Sequence, residues 1–289
     1  MASDRTDRPP FRPADLGWYL LLTLLSIVVL FPVYITFVRA ISDSSAALLR
    51  GKASLTPIQP HWNAFWQAFN EGHLGRPLLT SLITTVLIVV GQTVTSVLAA
   101  YAFAFLDFPF RRVLFGVTVA TLLLPIEVTL ITNVRIFQGF GWISITQTWG
   151  QAMGAMVLPF LASGLGIFLI RQGFLGIPKD LRDAARLDGY GHLSFLRKVA
   201  VPVTRPIIGS FVLISFLTAY NQYVWPRQVV TRGDNQTIQI AHRAIAGQRL
   251  DQLNLPFAAA IIAAVPVLIL LIVFQRQLIR GLTAGAVKG

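Results

Sequence analysis

The stretch DLRDAARLDGYGHLSFLRKVAVPVTRP, residues 180–206, decides how the whole chain is read. It is polar and strongly basic, and long apolar runs lie on both sides of it. Pro178 breaks whatever helix precedes it, and Asp180 is placed to cap a new one carrying Asp183, Ala184 and Ala185. Adjacent alanines present a smooth surface that another protein can approach closely. Gly189 and Gly191 end that helix, because glycine accepts the left-handed conformation of a helix C-terminus. A second helical stretch over about 192–200 carries Phe195 and then meets Pro202. Helix, glycine turn, helix, proline is a compact hairpin in water. Taken alone, it fits a mere connection between two membrane spans as well as it fits a docking element.

Working outward, the composition agrees with a membrane chain. Charged residues make up 12% of the 289 positions, against about 25% in soluble domains, and the mean hydropathy is +0.65. Six apolar runs approach or exceed the roughly 20 residues a helix needs to cross a bilayer. They lie at about 16–38, 78–105, 113–133, 149–170, 207–225 and 257–279. The predicted fold class is therefore an all-α integral membrane protein with six transmembrane helices. Pro32, Pro125, Pro159 and Pro266 fall within or near the ends of these runs and read as tolerated kinks, since neighbouring helices re-satisfy the freed backbone groups. The first run has an apolar core longer than a secretory signal's and no small-x-small site after it, so it reads as an uncleaved anchor.

The 24 Lys and Arg against 12 Asp and Glu give a net charge of +12. The basic residues gather between spans, which points to topology control and anionic lipid rather than nucleic acid. With the N-terminus inside, the inner segments hold Arg5, Arg8, Arg12, Arg111, Arg112, Arg171, Lys179, Arg182, Arg186, Arg197, Lys198, Arg205, Arg276, Arg280 and Lys288. The domain reading follows: a cytoplasmic tail 1–15, a six-helix bundle 16–279 with the hairpin in a cytoplasmic loop 171–206, and a cytoplasmic tail 280–289. The outer segments are then about 39–77, 134–148 and 226–256. The first contains TPIQPHWNAFWQAFNEG, with Trp62, Phe65, Trp66 and Phe69 at helical spacing. An external docking surface and an amphipathic helix in the headgroup region both fit that pattern.

Several chemistries are excluded. Without cysteine there is no disulfide framework, thiolate metal site or cysteine nucleophile. No P-loop, HExxH or GxSxG pattern occurs, and His61, His73, His192 and His242 are scattered. Asn235-Gln236-Thr237 matches a glycosylation acceptor, but so short a pattern recurs by chance. These absences leave no catalytic, cofactor-binding or metal-ligating residues to name.

The hairpin resembles the cytoplasmic "EAA" loop of ABC importer permeases, in which Glu-Ala-Ala is followed by Gly and a Leu-Pro or similar pair. Here the pattern reads Asp183-Ala184-Ala185, Asp188-Gly189, then Val199, Val201 and Pro202, with Asp for the usual Glu and Val for the usual Leu. AYAFAFLDFPFRR at 100–112 and the tail GLTAGAVKG at 281–289 resemble the carbohydrate-uptake (MalG-like) branch. LLPIEV at 123–128, FLIRQGF at 168–174 and YNQYVWP at 220–226 resemble the UgpE-type permeases for glycerol-3-phosphate and glycerophosphodiesters.

The resemblance implies a type I ABC importer permease fold in the bacterial cytoplasmic (inner) membrane. The implied partners are a second permease subunit in a heterodimer, an ATP-binding cassette ATPase dimer and an extracytoplasmic solute-binding protein. ATP and Mg would be bound by the ATPase, so this chain would be no enzyme and hold no cofactor. The resemblance assigns ATPase coupling to Asp183, Ala184, Ala185, Asp188, Gly189, Phe195 and Pro202, and an ATPase-interface role to the tail with Gly285 and Lys288.

Candidates for the substrate pathway are Glu127, Arg135, Asn221, Gln222, Tyr223 and Trp225. Glu127 is a carboxylate near the end of an apolar run, where charge usually faces a cavity or reaches for water. Arg135 and Arg227 sit just outside spans; guanidinium suits an anionic phosphoester, and equally snorkels to the interface. The 221–225 group suits a polyol or helix–helix contact. Gly91, Thr93, Thr95 and Ser96 read as close-approach positions between helices. A sugar permease of the same family is the alternative, and an ion-coupled secondary transporter is the rival from another class; the latter should carry several carboxylates within spans. A lipid-acting membrane enzyme and a scaffold subunit without substrate contact are the remaining rivals.

Overall fold

The structure, a computed structural model, describes residues 13–43, 55–248 and 252–286; within these, the side chains of 13–15, 126–127, 246–248 and 276–286 lie outside the description. Every regular element among the described residues is helical. Among the described residues three helices are long and apolar enough to cross a membrane, Leu16–Ala40, Gly75–Phe105 and Asn254–Gln275, and bent helix pairs raise the number to as many as six. The chain divides into two compact units.

The first unit comprises residues 1–71 and 245–262. Helix α1 (Pro13–Ala40) carries Pro32 inside it without breaking. Only 6% of its apolar window is buried, so nearly every face awaits lipid or another chain. Its C-terminus is pinned by the incoming strand of loop. Asp43 N–H donates to the Ile58 carbonyl at 2.9 Å and His61 N–H to the Ile41 carbonyl at 2.6 Å. The aromatic segment does form a helix, α2 (Asn63–Asn70). Phe37 of α1 meets Trp62 edge-on at 6.0 Å, while Trp62 and Trp66 remain largely exposed.

The second unit, residues 72–244 and 263–289, is built on α3 (Gly75–Phe105). A turn over 106–110 follows, with Phe110 in the left-handed region at φ 62°, and leads into α4 (Arg111–Ala120). The expected third span does not continue through Pro125. Leu124 is extended, as the residue before proline tends to be, and a separate helix α5 (Ile126–Gly139) begins after it. The expected fourth span is likewise two helices, α6 (Trp149–Val157) and α7 (Gly164–Leu175), bent by 49°. Pro159 tightens the end of the first into a 3₁₀ turn, and Ser163 caps the second by accepting from Gly166 N–H at 3.2 Å. Two of the prolines read as kinks are therefore breaks.

α7 and the fifth-span helix α10 (Arg205–Tyr220) pack on α3. Small residues allow it: a Cβ on Gly91 would meet the Leu161 side chain, and one on Gly166 would meet Phe211 and the Ser96 hydroxyl. Thr95 donates to the Leu161 carbonyl at 2.6 Å. The close-approach reading of these positions is thus what the helices do. The fifth span ends earlier than expected, at Tyr220, and α11 (Val224–Val229) is a separate short helix. Beyond it come α12 (Ile238–Gln248) and the long α13 (Asn254–Ala286), whose first turns belong to the first unit. Within the second unit Tyr220 donates to the Ala263 carbonyl at 2.8 Å.

Candidate functional site: the hairpin and the far end of the fifth span

The hairpin has two arms, α8 (Lys179–Leu187) and α9 (His192–Phe195). The cap is one residue from where the sequence placed it: Pro178 precedes the first helical residue Lys179, and Asp180 lies inside the first turn, where a carboxylate favours the helix dipole. Gly189 takes φ +75°; its N–H donates to the Arg186 carbonyl at 3.0 Å and Tyr190 N–H to the Ala185 carbonyl at 2.9 Å. This paired closure is what a left-handed residue after a helix makes possible. Gly191 is different: it is extended and begins the second arm.

The second arm does not stop at Pro202. The chain widens into a π turn over Leu196–Ala200, tightens again at Val201–Val203, and then bends by 78° into α10. Pro202 has no N–H to give, and its ring crowds the carbonyl four residues back; a widened turn absorbs both. Thr204, buried at the bend, donates its hydroxyl to the Ala200 carbonyl at 2.8 Å.

The two alanines do not form one surface. Ala184 is exposed, whereas Ala185 is buried with Phe195 against Tyr101, Ile170 and Phe174. Phe195 sits edge-on to Phe105 at 5.5 Å. It anchors the hairpin to the end of α3 and has little surface to offer a partner. What the hairpin shows to water includes Asp183, loosely paired with Arg186 at 3.9 Å, together with Asp188 and, most exposed of its three outward leucines, Leu187 and Leu193. Leu187 is 90% exposed and Leu193 74%. These leucines escaped the sequence reading, although their place beside the Gly189 turn was the available signal. A cleft of about 160 Å³ between the hairpin and the end of α3 is lined by Tyr101, Phe105, Arg182, Arg186, Tyr190 and His192, among others. The Tyr101 hydroxyl and His192 Nδ1 lie 3.1 Å apart, and Arg182 Nε is buried without an acceptor.

At the other end of α10, the predicted pathway residues separate. Trp225 is buried: its indole N–H donates to the Ala155 carbonyl at 3.0 Å and it packs on Phe137 and Phe160. It sits in the interior, 3% exposed, with its donor satisfied by the chain itself. Asn221 is exposed; its amide donates to the Leu217 carbonyl at 2.9 Å and accepts from Gln239 at 3.4 Å. Gln222 and Tyr223 are half-buried. The Arg243 guanidinium lies over the Tyr223 ring at 4.1 Å, a contact the sequence reading missed because twenty positions separate the two residues. Arg135 is exposed on α5 and Arg227 on α11. Glu127 occupies the first turn of α5, but its side chain lies outside the described residues; Lys288 lies outside them altogether, and of Gly285 only its place near the end of α13 is described.

Gln147, also unanticipated, is 1% exposed and ties two loops together. Its amide donates to the carbonyls of Trp142 at 2.7 Å and Val229 at 2.8 Å and accepts from Thr231 N–H at 3.1 Å. On α12, burial pulls the His242 pKa below its ordinary 6.5; the hydrogen bond from Nδ1 to the Ile238 carbonyl raises it, and the Arg243 charge lowers it again.

Residues 92–284 match the family described as binding-protein-dependent transport system inner membrane component. The chain belongs to this family. It is a multi-pass inner-membrane permease of a binding-protein-dependent ABC importer, which sets aside the ion-coupled and lipid-enzyme readings. Among its relatives, the sn-glycerol-3-phosphate transport system permease protein UgpE of Brucella abortus (strain 2308) is 31% identical over 93% of this chain and 96% of its own. The protein of that name from Yersinia pestis bv. Antiqua (strain Antiqua) is 29% identical over 94% and 96%. A chain from the crystal structure of a bacterial ABC transporter involved in the import of the acidic polysaccharide alginate superposes with a TM-score of 0.75, covering 93% of this chain and 99% of that one at 20% identity. The fold of this permease is that of a type I importer.

Proposed function

We propose that this permease forms half of the translocation pathway for glycerol-3-phosphate or a glycerophosphodiester, driven by a partner ATPase. Relatives at 29–31% identity over nearly the whole chain that are glycerol-3-phosphate permeases support the substrate. For the coupling role, the observation that carries the reading is an exposed amphipathic hairpin bolted by Phe195 to a bundle helix. In this reading both termini and the hairpin face the cytoplasm. The tail with Gly285 and Lys288 enters the ATPase interface, and ATP and Mg stay with that partner.

The hairpin's residues then divide by task. Asp183, Ala184, Asp188, Leu187 and Leu193 meet the ATPase. Ala185 and Phe195 transmit its motion into α3, while Gly189 shapes the turn and Pro202 the elbow into α10. Closure of the ATPases on ATP pushes on the hairpin. The bundle then exchanges between outward-facing and inward-facing states, each favoured only by the differential affinity of its ligand. A second permease subunit completes the pore, and an extracytoplasmic solute-binding protein delivers the substrate to the far side.

The test is reconstitution of the permease with its ATPase, second subunit and receptor in proteoliposomes. ATP-dependent uptake of labelled sn-glycerol-3-phosphate, competed by a glycerophosphodiester and not by maltose, is the expected result. Uptake of a neutral sugar with no competition by phosphoester would replace the proposed substrate with the sugar alternative.

A further inference from the structure

We infer that Arg243, framed by Tyr223, Asn221 and Gln239, is the point at which this chain recognises the anionic phosphate of its solute. The inference rests on the phosphoester reading above and names the residue that reads the charge. The Arg243 guanidinium is exposed, yet held: its carbon lies 4.1 Å from the centre of the Tyr223 ring. A guanidinium stacked by its face keeps its in-plane N–H donors free for bidentate contact with an oxyanion. Among the described residues no carboxylate pairs with it; the acidic Asp234 is taken by Arg232 at 3.6 Å. Gln239 lies one turn before Arg243 on α12, hence on the same face, and its amide reaches Asn221 at 3.4 Å. One fixed cation beside two fixed amides matches a phosphate ester bearing free hydroxyls.

The position suits the role. The α10 helix of 16 residues spans about 24 Å at 1.5 Å per residue, and its two ends carry the hairpin elbow and this cluster. Arg135 and Arg227, singled out from the sequence, are exposed on helices with no aromatic or amide frame among the described contacts. His242, next to Arg243, is kept neutral by burial and hydrogen-bonded to its own helix. It therefore adds no second charge at neutral pH.

The experiment is uptake of sn-glycerol-3-phosphate by the full reconstituted complex, with R243Q and R243K, alongside ATP hydrolysis stimulated by the loaded receptor. R243Q is expected to lower uptake at least tenfold while receptor-stimulated hydrolysis changes less than twofold. R243K, which keeps charge and loses the fork, is expected to fall between. Wild-type uptake of phosphoester with R243Q and R243K unchanged would overturn this inference and leave the substrate reading standing. Absence of phosphoester uptake by the wild type would overturn both. Loss of receptor-stimulated hydrolysis in proportion to uptake would make Arg243 a receptor contact and overturn the inference. Should R243Q fail to assemble, R243K decides, because undiminished uptake in it is incompatible with bidentate recognition.

Discussion

Replacing Gly189 should loosen the hairpin by an amount that depends on the backbone and not on side-chain size. The residue has φ +75°, and a Cβ built there has nothing within 4 Å. Steric cost from neighbours is therefore absent, and what remains is the left-handed penalty, about 1–2 kcal/mol for an ordinary L-residue. That penalty acts on the two hydrogen bonds closing α8, from Gly189 N–H to Arg186 and from Tyr190 N–H to Ala185. A shift of 1–2 kcal/mol corresponds to a roughly 5- to 30-fold rise in the open population of the turn. Gly189→Ala and Gly189→Leu should be nearly equal, and Gly189→Asn much milder, since Asn visits the left-handed region. Hydrogen exchange of the amides from Arg186 to Phe195, measured on the permease in nanodiscs without its ATPase, reads the effect directly. Leu costing far more than Ala, or Asn as much as Ala, would refute the reasoning, because either result would show a crowding that the empty surroundings of Gly189 exclude.

Other expectations follow from the bundle and the loops. Gly166→Ala drives a methyl into Phe211 and Ser96, a case of overpacking at about 1–3 kcal/mol. Thermal unfolding in detergent should show the loss, while Gly209→Ala, with open space around its Cβ, should show none. Gln147→Leu strands the Val229 carbonyl and Thr231 N–H at about 1–3 kcal/mol per orphaned group; faster exchange at Thr231 and a lower melting temperature are the readouts. For His242, whose pKa sits below the ordinary 6.5, the opened segment takes up a proton that the closed segment refuses. Protection of α12 should hold above pH 6.5 and decline as the pH falls below it; His242→Gln should abolish that decline.

Much of this was legible from residue types alone. Gly189 announced its turn because only glycine closes a helix that way at no cost, and the Trp62-to-Phe69 spacing fixed a helix whatever its environment. The breaks at Leu124–Pro125 and after Phe160 were not legible, because a proline in an apolar run reads the same whether neighbours re-satisfy its backbone or the chain turns away. The burial of Trp225 was not legible either, because it depends on Phe137 and Phe160, far off in sequence. Arg243 and Gln147 were silent for the same reason. Their partners are assembled by tertiary contact, and no spacing rule connects them.

The sparse interior contact of α1 has a consequence for how such subunits diversify. Because only 6% of its apolar window is buried, exchange of one greasy side chain for another there disturbs little of the chain's own packing. The matched family region begins only at residue 92, past this helix. Mutational drift along the outward face of α1 is thus felt chiefly by whatever surrounds the chain, while its C-terminal turns, where Phe37 meets Trp62, stay tied to the rest of the unit, which leaves the outward face available as an adjustable gasket.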